Sequence, residues 1–427
     1  MIIFLVSLLI PLTLDLGGFK LLTYRVVLLL LFFPALVSWI RGDAGRHMVA
    51  DYMMIFLAGW VALAMLVVNG VVASWQGVGI HTAEMLGSYM LGRSFVRTPE
   101  QFLKVSRILV IGFVLMLPFA LAEALTSQNF LLKMWDLVGP AFGDVSHEQR
   151  LGFDRVQGPF EHPIHFGVYG GALIGLAFYV VSYGRGVWGH IWRTFLVVIT
   201  AFFSLSSGPL AAMTMQISLI SWDLILERFK QRWWVLAGIV AVIYVVLDIL
   251  SNRTPIEVMI SYFALNAQTG YGRILIFEHG MKNVIANPLF GLGFNDWVRP
   301  AWMTSSVDMY WIYYAMVNGI PAGFMSLASY FAVMIAVIRR PMTDDRMRKY
   351  RMGWVVSMLG LFMAGWMVHF WKVPFVLYCF LLGLGGWFIN YQPEEDADTD
   401  AGTPEPKQGL SYTRFPTRPG RRRLASE

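Results

Sequence analysis

The chain has 427 residues, of which 57% are hydrophobic and only 14% charged, with a formal net charge of +6. Soluble domains carry about 25% charged residues, so water is not the main solvent of this protein. A single cysteine, Cys379, rules out an intrachain disulfide. The positive charge by itself gives no reason to expect a nucleic-acid partner.

Apolar runs near the roughly 20 residues that a helix needs to cross the hydrocarbon core recur along the chain. About twelve spans are expected, at roughly 1–14, 24–40, 52–73, 77–96, 106–126, 162–183, 194–208, 210–225, 233–250, 308–338, 353–370 and 373–390. Within lipid the backbone must satisfy itself, which favours helices. The runs are continuously apolar rather than alternating, which excludes a barrel. The expected fold class is therefore all-α, a polytopic membrane helix bundle over 1–390. The opening MIIFLVSLLIPL has no basic leader and no small-residue cleavage site, so it reads as a retained first span.

Basic residues orient the spans. With both termini cytoplasmic, the inside segments hold two Lys/Arg in 41–51, four in 93–107, two in 184–193, three in 226–232, six in 339–351 and six in the tail. That places 23 of the 33 basic residues inside, as the positive-inside rule requires. Two outward loops, about 127–161 and 251–307, are too long to be simple connectors. From Tyr391 the composition turns to prolines and blocks of opposite charge, and 391–427 is expected to be a disordered cytoplasmic tail.

The first candidate segment is Asp154-Arg155-Val156-Gln157-Gly158-Pro159-Phe160-Glu161-His162-Pro163, at the outer end of the sixth span. Its glycine and prolines fix a turn that sets Arg155 beside a helix start. A snorkelling interfacial arginine, neutralised by Asp154, is the competing reading. The second is Gly270-Tyr271-Gly272-Arg273, leading into an amphipathic stretch with Glu278 and Lys282. A guanidinium fork matches phosphate oxygens, so Arg155 and Arg273 together could clamp a pyrophosphate. A helix lying on the bilayer surface explains the same pattern.

The third candidate is Asp308, followed by Tyr310, Trp311, Tyr313 and Tyr314 at the outer mouth of the tenth span. An N-capping carboxylate beside an interfacial aromatic belt is the simpler account. A carboxylate beside flat amphipathic rings also suits binding a sugar and deprotonating its hydroxyl. Glu84 and His81 lie inside the fourth span, where ionisable groups face a bundle interior or a cavity. His162 and His165 share a helix face but bring no third metal ligand, so no metal site is expected.

Taken together, Glu84 with LGSYMLGRSFVR, RVQGPFEHP, LSSGPLAA, GRILIFEHGMKNVIANPLFGLGFNDW and VDMYWIYYAMVNGIPAG resemble the O-antigen ligase and polysaccharide polymerase superfamily of bacterial inner-membrane proteins. The resemblance covers roughly 80–340. It implies glycan transfer on the periplasmic face from an undecaprenyl-pyrophosphate-linked oligosaccharide to a glycan acceptor, without metal, nucleotide or other cofactor. Other polysaccharide-assembly proteins are candidate partners beside the lipid bilayer. Arg155 and Arg273 match the arginines that hold pyrophosphate in that family, and Asp308 is the expected base. Tyr310, Trp311 and Tyr314 are the expected sugar contacts, with Glu84, Glu161 and His162 as further candidates. Two departures stand out. Asp308-Met309 replaces the His-Asn of ligases, favouring a polymerase over a ligase acting on lipid A core. Ser207-Gly208 also lacks the arginine of the usual S-R-G, whose role must be absent or moved. A transporter or flippase of lipid-linked sugars is the rival class, which would want ionisable residues at the midplane.

Overall fold

A computed structural model describes residues 1–16, 19–145, 149–251, 254, 258 and 267–391. The tail expected to be disordered lies outside the described residues apart from Tyr391. Among the described residues the chain is mostly helical, with one short hairpin.

A six-residue helix, α1 (Ile2–Ser7), precedes strands β1 (Thr13–Leu16) and β2 (Phe19–Leu22), which pair antiparallel with Thr13 opposite Leu22. The expected span at 1–14 is thus a helix of only about 9 Å followed by a hairpin. Pro11 removes a donor where that helix would have to continue. Next come α2 (Thr23–Ile40) and α3 (Val49–Asn69). A helical rod then joins α4 (Val71–Thr82), a π-helical turn at Ala83–Gly87 and α5 (Ser88–Phe95).

After it, α6 (Pro99–Val114) and α7 (Leu117–Thr126) break at Leu115-Met116, ahead of Pro118. The short α8 (Phe130–Asp136) is followed by α9 (Pro163–Gly171), a π-helical turn at Leu176–Val181, α10 (Val187–Phe202) and α11 (Ser207–Ile225). The series closes with α12 (Arg232–Leu250), α13 (Ala267–Ala286), α14 (Tyr310–Arg339), α15 (Asp345–Gly365) and α16 (Val373–Asn390).

Among the described residues, six helical segments are long and apolar enough to cross a membrane: Thr23–Ile40, Val49–Asn69, Pro99–Thr126, Arg232–Leu250, Tyr310–Arg339 and Val373–Asn390. The protein is accordingly a helical membrane protein. The expected spans at 77–96, 162–183, 194–208, 210–225 and 353–370 coincide with helical segments that fall short on length or apolarity. Helix α16 is the central post, with nearly every residue buried. It lies against α5 with backbones in contact, because Gly92 and Gly383 each face the other helix's main chain where a Cβ would not fit. Small residues at a crossing let dispersion contacts replace the missing hydrophobic drive of lipid. Helix α12 has no buried residue at all.

Turns gather at two ends of the bundle. At the hairpin end, the Thr13 amide donates to the Pro140 carbonyl (2.8 Å) and the Phe294 amide to Asn69 Oδ1 (3.0 Å). At the opposite end, the Arg46 amide donates to Asn390 Oδ1 (3.0 Å), Arg346 pairs with Glu100 (2.9 Å), and Lys349 pairs with Glu227 (2.9 Å). The 18 residues of α2 separate these ends by about 27 Å.

Candidate functional site: an arginine cluster at the hairpin end

The turn that carries Arg155 is built by buried side chains. The Glu123 carboxylate, on α7, accepts the amides of Gln157 (2.7 Å) and Gly158 (3.2 Å). Asn129 Nδ2 donates to the Gly158 carbonyl (2.9 Å), and the Gln157 side chain donates to the carbonyls of Gly143 (3.1 Å) and Phe160 (3.0 Å). Gly158 has φ +57°, and a Cβ there would lie 2.8 Å from the Phe166 ring, so only glycine fits this turn. His162 ends the segment as the N-cap of α9, its Nδ1 accepting the Ile164 amide (3.1 Å).

Three guanidinium groups meet on the next layer. Arg155 donates through Nη2 to Ser206 Oγ (2.9 Å) and through Nε to the Ser204 carbonyl (3.4 Å). Arg150 Nη1 donates to the Leu205 carbonyl (2.9 Å), in the same turn, where Leu205 has φ +45°. This turn leads into Ser207-Gly208, which abuts the α15–α16 turn: a Cβ on Gly208 would sit 2.8 Å from the Val368 side chain and 3.1 Å from that of Met367. From α13, Arg273 Nε donates to the Met367 carbonyl (2.9 Å). Arg273 is 6% exposed and its Nη1 has no partner among the described residues.

Burial lowers the Arg273 guanidinium from its ordinary value to about 10, partly opposed by the attraction of Asp308 and reinforced by the repulsion of Arg150. The surface-helix reading of α13 accounts for Glu278 and Lys282, which form an exposed i,i+4 pair (2.7 Å). It does not account for Arg273, which is buried while those two face outward.

Asp308 is half-buried and accepts Ser306 Oγ (2.5 Å). It is not the N-cap of α14, a position held by Met309. The aromatic residues beside it depart from their expected role. Tyr310, Trp311 and Tyr314 are each 2% exposed and belong to the core. Trp311 Nε1 is tied to the Phe362 carbonyl (2.9 Å), Tyr310 stacks on Phe370 with ring centroids 4.7 Å apart, and Tyr314 Oη meets His81 Nε2 (3.1 Å). Buried against α4, α15, α16 and the turn between the last two, these rings offer no platform to a sugar.

Glu84 is also committed elsewhere: it accepts Tyr24 Oη (2.6 Å) and forms an ion pair with Arg25 (2.7 Å) on α2. Glu161 pairs with Lys372, which occupies the left-handed region (φ +53°) between α15 and α16. The Asp154 carboxylate accepts from Ser127 and from Gln149 Nε2 (3.3 Å).

Sequence reasoning missed Arg150, Glu123, Lys372 and His369. Lys372 had a legible signal, as the lone cation between two apolar runs. His369, two residues beyond the carbonyl that holds Arg273, is half-buried with its Nδ1 unpartnered among the described residues, and its ring centroid is 4.1 Å from that of Tyr313. Arg150 had no such signal, because it reaches the cluster only through contact with a turn 55 residues away.

Arg150 and Arg155 from one loop and Arg273 from α13, the last largely dehydrated, are thus each fixed to backbone carbonyls, an arrangement of positive charge that suits an anion. Comparison with protein-family models yields no match for this chain, and none is found among curated proteins either.

Proposed function

We propose that this protein transfers glycan from an undecaprenyl-pyrophosphate-linked saccharide to a sugar hydroxyl at the periplasmic face of the bacterial inner membrane, polymerising exopolysaccharide or O-antigen repeat units. In this reading the chain crosses the membrane about twelve times with both termini cytoplasmic, and the hairpin end is periplasmic. The basic turns at 41–51, 184–193, 226–232 and 339–351 support that orientation. The observation that carries the reading is Arg273, buried in the arginine cluster with Nη1 unpartnered among the described residues. A buried donor without a partner costs free energy unless an acceptor arrives, and a pyrophosphate brings several.

The acceptor hydroxyl oxygen attacks the anomeric carbon, and the bond from that carbon to the pyrophosphate oxygen breaks. Undecaprenyl pyrophosphate leaves with the electron pair, and the hydroxyl proton passes to the Asp308 carboxylate. Negative charge grows on the leaving group, and fixed cations in a partly dehydrated site stabilise it most. Asp308 acts as general base if the acceptor is seated within hydrogen-bond reach of it. The transporter alternative loses support because Glu84, the acidic candidate deepest in the bundle, is consumed by Arg25 and Tyr24.

The test is a pair of variants expressed at wild-type level, with polymer amount and length as the readout. Arg273→Lys keeps the charge but loses the planar fork, and strongly impairs polymer formation. Arg273→Ala abolishes it, since losing one such donor costs about 3 kcal/mol, roughly a hundredfold in rate. Full activity in the lysine variant would show that the planar fork of Arg273 is not used, and wild-type activity in the alanine variant would remove Arg273 from the site.

A further inference from the structure

Arg150 has no role in the reading above, yet it lies closer to the anion site than its position in the sequence indicates. Its Nη1 donates to the Leu205 carbonyl (2.9 Å), the peptide unit between the two residues that hold Arg155. It is near enough to Arg273 to add to the lowering of that group's basicity. The hydrogen bond to Leu205 uses one of five guanidinium N–H donors and orients the rest. Leu205 has φ +45°, a conformation that costs free energy for a non-glycine residue, and Ser204 Oγ in the same turn is buried without a partner among the described residues. Two like charges directed to one site repel unless an anion lies between them. Here Arg150 arrives from a loop and Arg273 from α13, and each is fixed to a backbone carbonyl, so the repulsion is built in before any ligand binds.

We infer that Arg150 is a third anion-binding residue, and that Arg150, Arg155 and Arg273 together grip both phosphates of a diphosphate. The Ser204–Gly208 turn then carries no arginine of its own because a neighbouring loop places one on its backbone. A single phosphate engages two of the three guanidinium groups. A diphosphate engages all three, so the site discriminates the diphosphate-linked lipid from the monophosphate-linked one. This rests on the glycan-transfer reading, and the test separates the two.

The experiment measures binding of undecaprenyl pyrophosphate and of undecaprenyl monophosphate to the purified full-length protein in detergent, with thermal stability recorded alongside. Arg150→Ala weakens diphosphate binding by about 10- to 100-fold, the usual loss for a charge-assisted bond, and weakens monophosphate binding much less. Arg150→Gln keeps a donor for the Leu205 carbonyl but removes the charge, and fails like alanine. Arg150→Lys recovers part of the affinity. If Arg150→Gln binds the diphosphate as the wild type does, Arg150 is only a brace for the turn and the inference falls. If Arg150→Ala binds normally while Arg273→Ala does not, the inference falls and the glycan-transfer reading stands. If Arg273→Ala also binds normally, that reading falls with it.

Discussion

Arg273 Nε donates to the carbonyl of Met367, 2.9 Å away and 94 residues along the chain. The bond ties α13 to the α15–α16 turn, and that turn packs against the Gly208 segment with its arginine-bearing neighbours. An anion held by Arg273 therefore rests on a frame of backbone carbonyls rather than on a mobile loop side chain. The burial that orients the group also dehydrates it, and a dehydrated cation binds an anion more strongly than a solvated one.

That dehydration has a pH signature. Burial lowers Arg273 to about 10, so the guanidinium stays protonated at neutral pH and loses its charge as pH rises through about 10. Binding of a saccharide-linked pyrophosphate, a diester whose own charge is constant, should be flat from about pH 6.5 to 8.5 as far as this group is concerned. It should decline above about pH 9.5. A decline centred near pH 6.5 in titrated binding would assign the anion to a histidine instead.

The Glu84–Arg25 pair is a structural element in this account. Their side chains are 7% and 14% exposed, so removing one charge strands the other. Glu84→Gln should lower stability by about 3 kcal/mol, read as a lower thermal midpoint in detergent. Arg25→Met combined with Glu84→Gln should recover much of the loss. An unchanged midpoint with lost polymer formation in Glu84→Gln would instead make Glu84 part of the chemistry.

The membrane class was legible because apolar runs of bilayer length can be read without any contact information. The sequence pattern could not show where such runs break. Pro118 divides α6 from α7, and the stretch read as a first span holds only the six-residue α1 before the hairpin. The aromatic residues after Asp308 were misread for a physical reason. An interfacial belt and a helix-packing core both favour rings that carry one polar atom. What decided between them was α15 and the turn after it, which supply the Phe362 carbonyl for Trp311 and the Phe370 ring for Tyr310. Arg155 and Arg273 could be singled out from their glycine-flanked turns, but Arg150 and Glu123 belong to the site only through tertiary contacts.

Glu123 and Gly158 should control Arg155 indirectly. Glu123→Ala leaves the buried amides of Gln157 and Gly158 without their acceptor, at a cost of about 1–3 kcal/mol. Gly158→Ala places a methyl group against the Phe166 ring at a left-handed position. Both variants should reduce polymer formation while the protein still accumulates in the membrane. Full activity in Glu123→Ala, checked at matched abundance, would show that this turn does not set the position of Arg155.

Orientation can be tested independently of chemistry. Reporter fusions after Pro140 and Asp296 should read as periplasmic, and fusions after Asp345 and Glu405 as cytoplasmic. A cytoplasmic signal after Pro140 or Asp296 would put the arginine cluster on the face opposite to the one proposed.

The most direct measurement uses purified full-length protein in proteoliposomes supplied with an undecaprenyl-pyrophosphate-linked repeat unit, following elongated glycan and released undecaprenyl pyrophosphate together. Both products should appear in step with the wild-type protein, and both should fall at least about a hundredfold with Arg273→Ala. Undiminished release and elongation with Arg273→Ala, or an intact donor moved across the bilayer with no glycan bond made, would contradict the proposed glycan transfer.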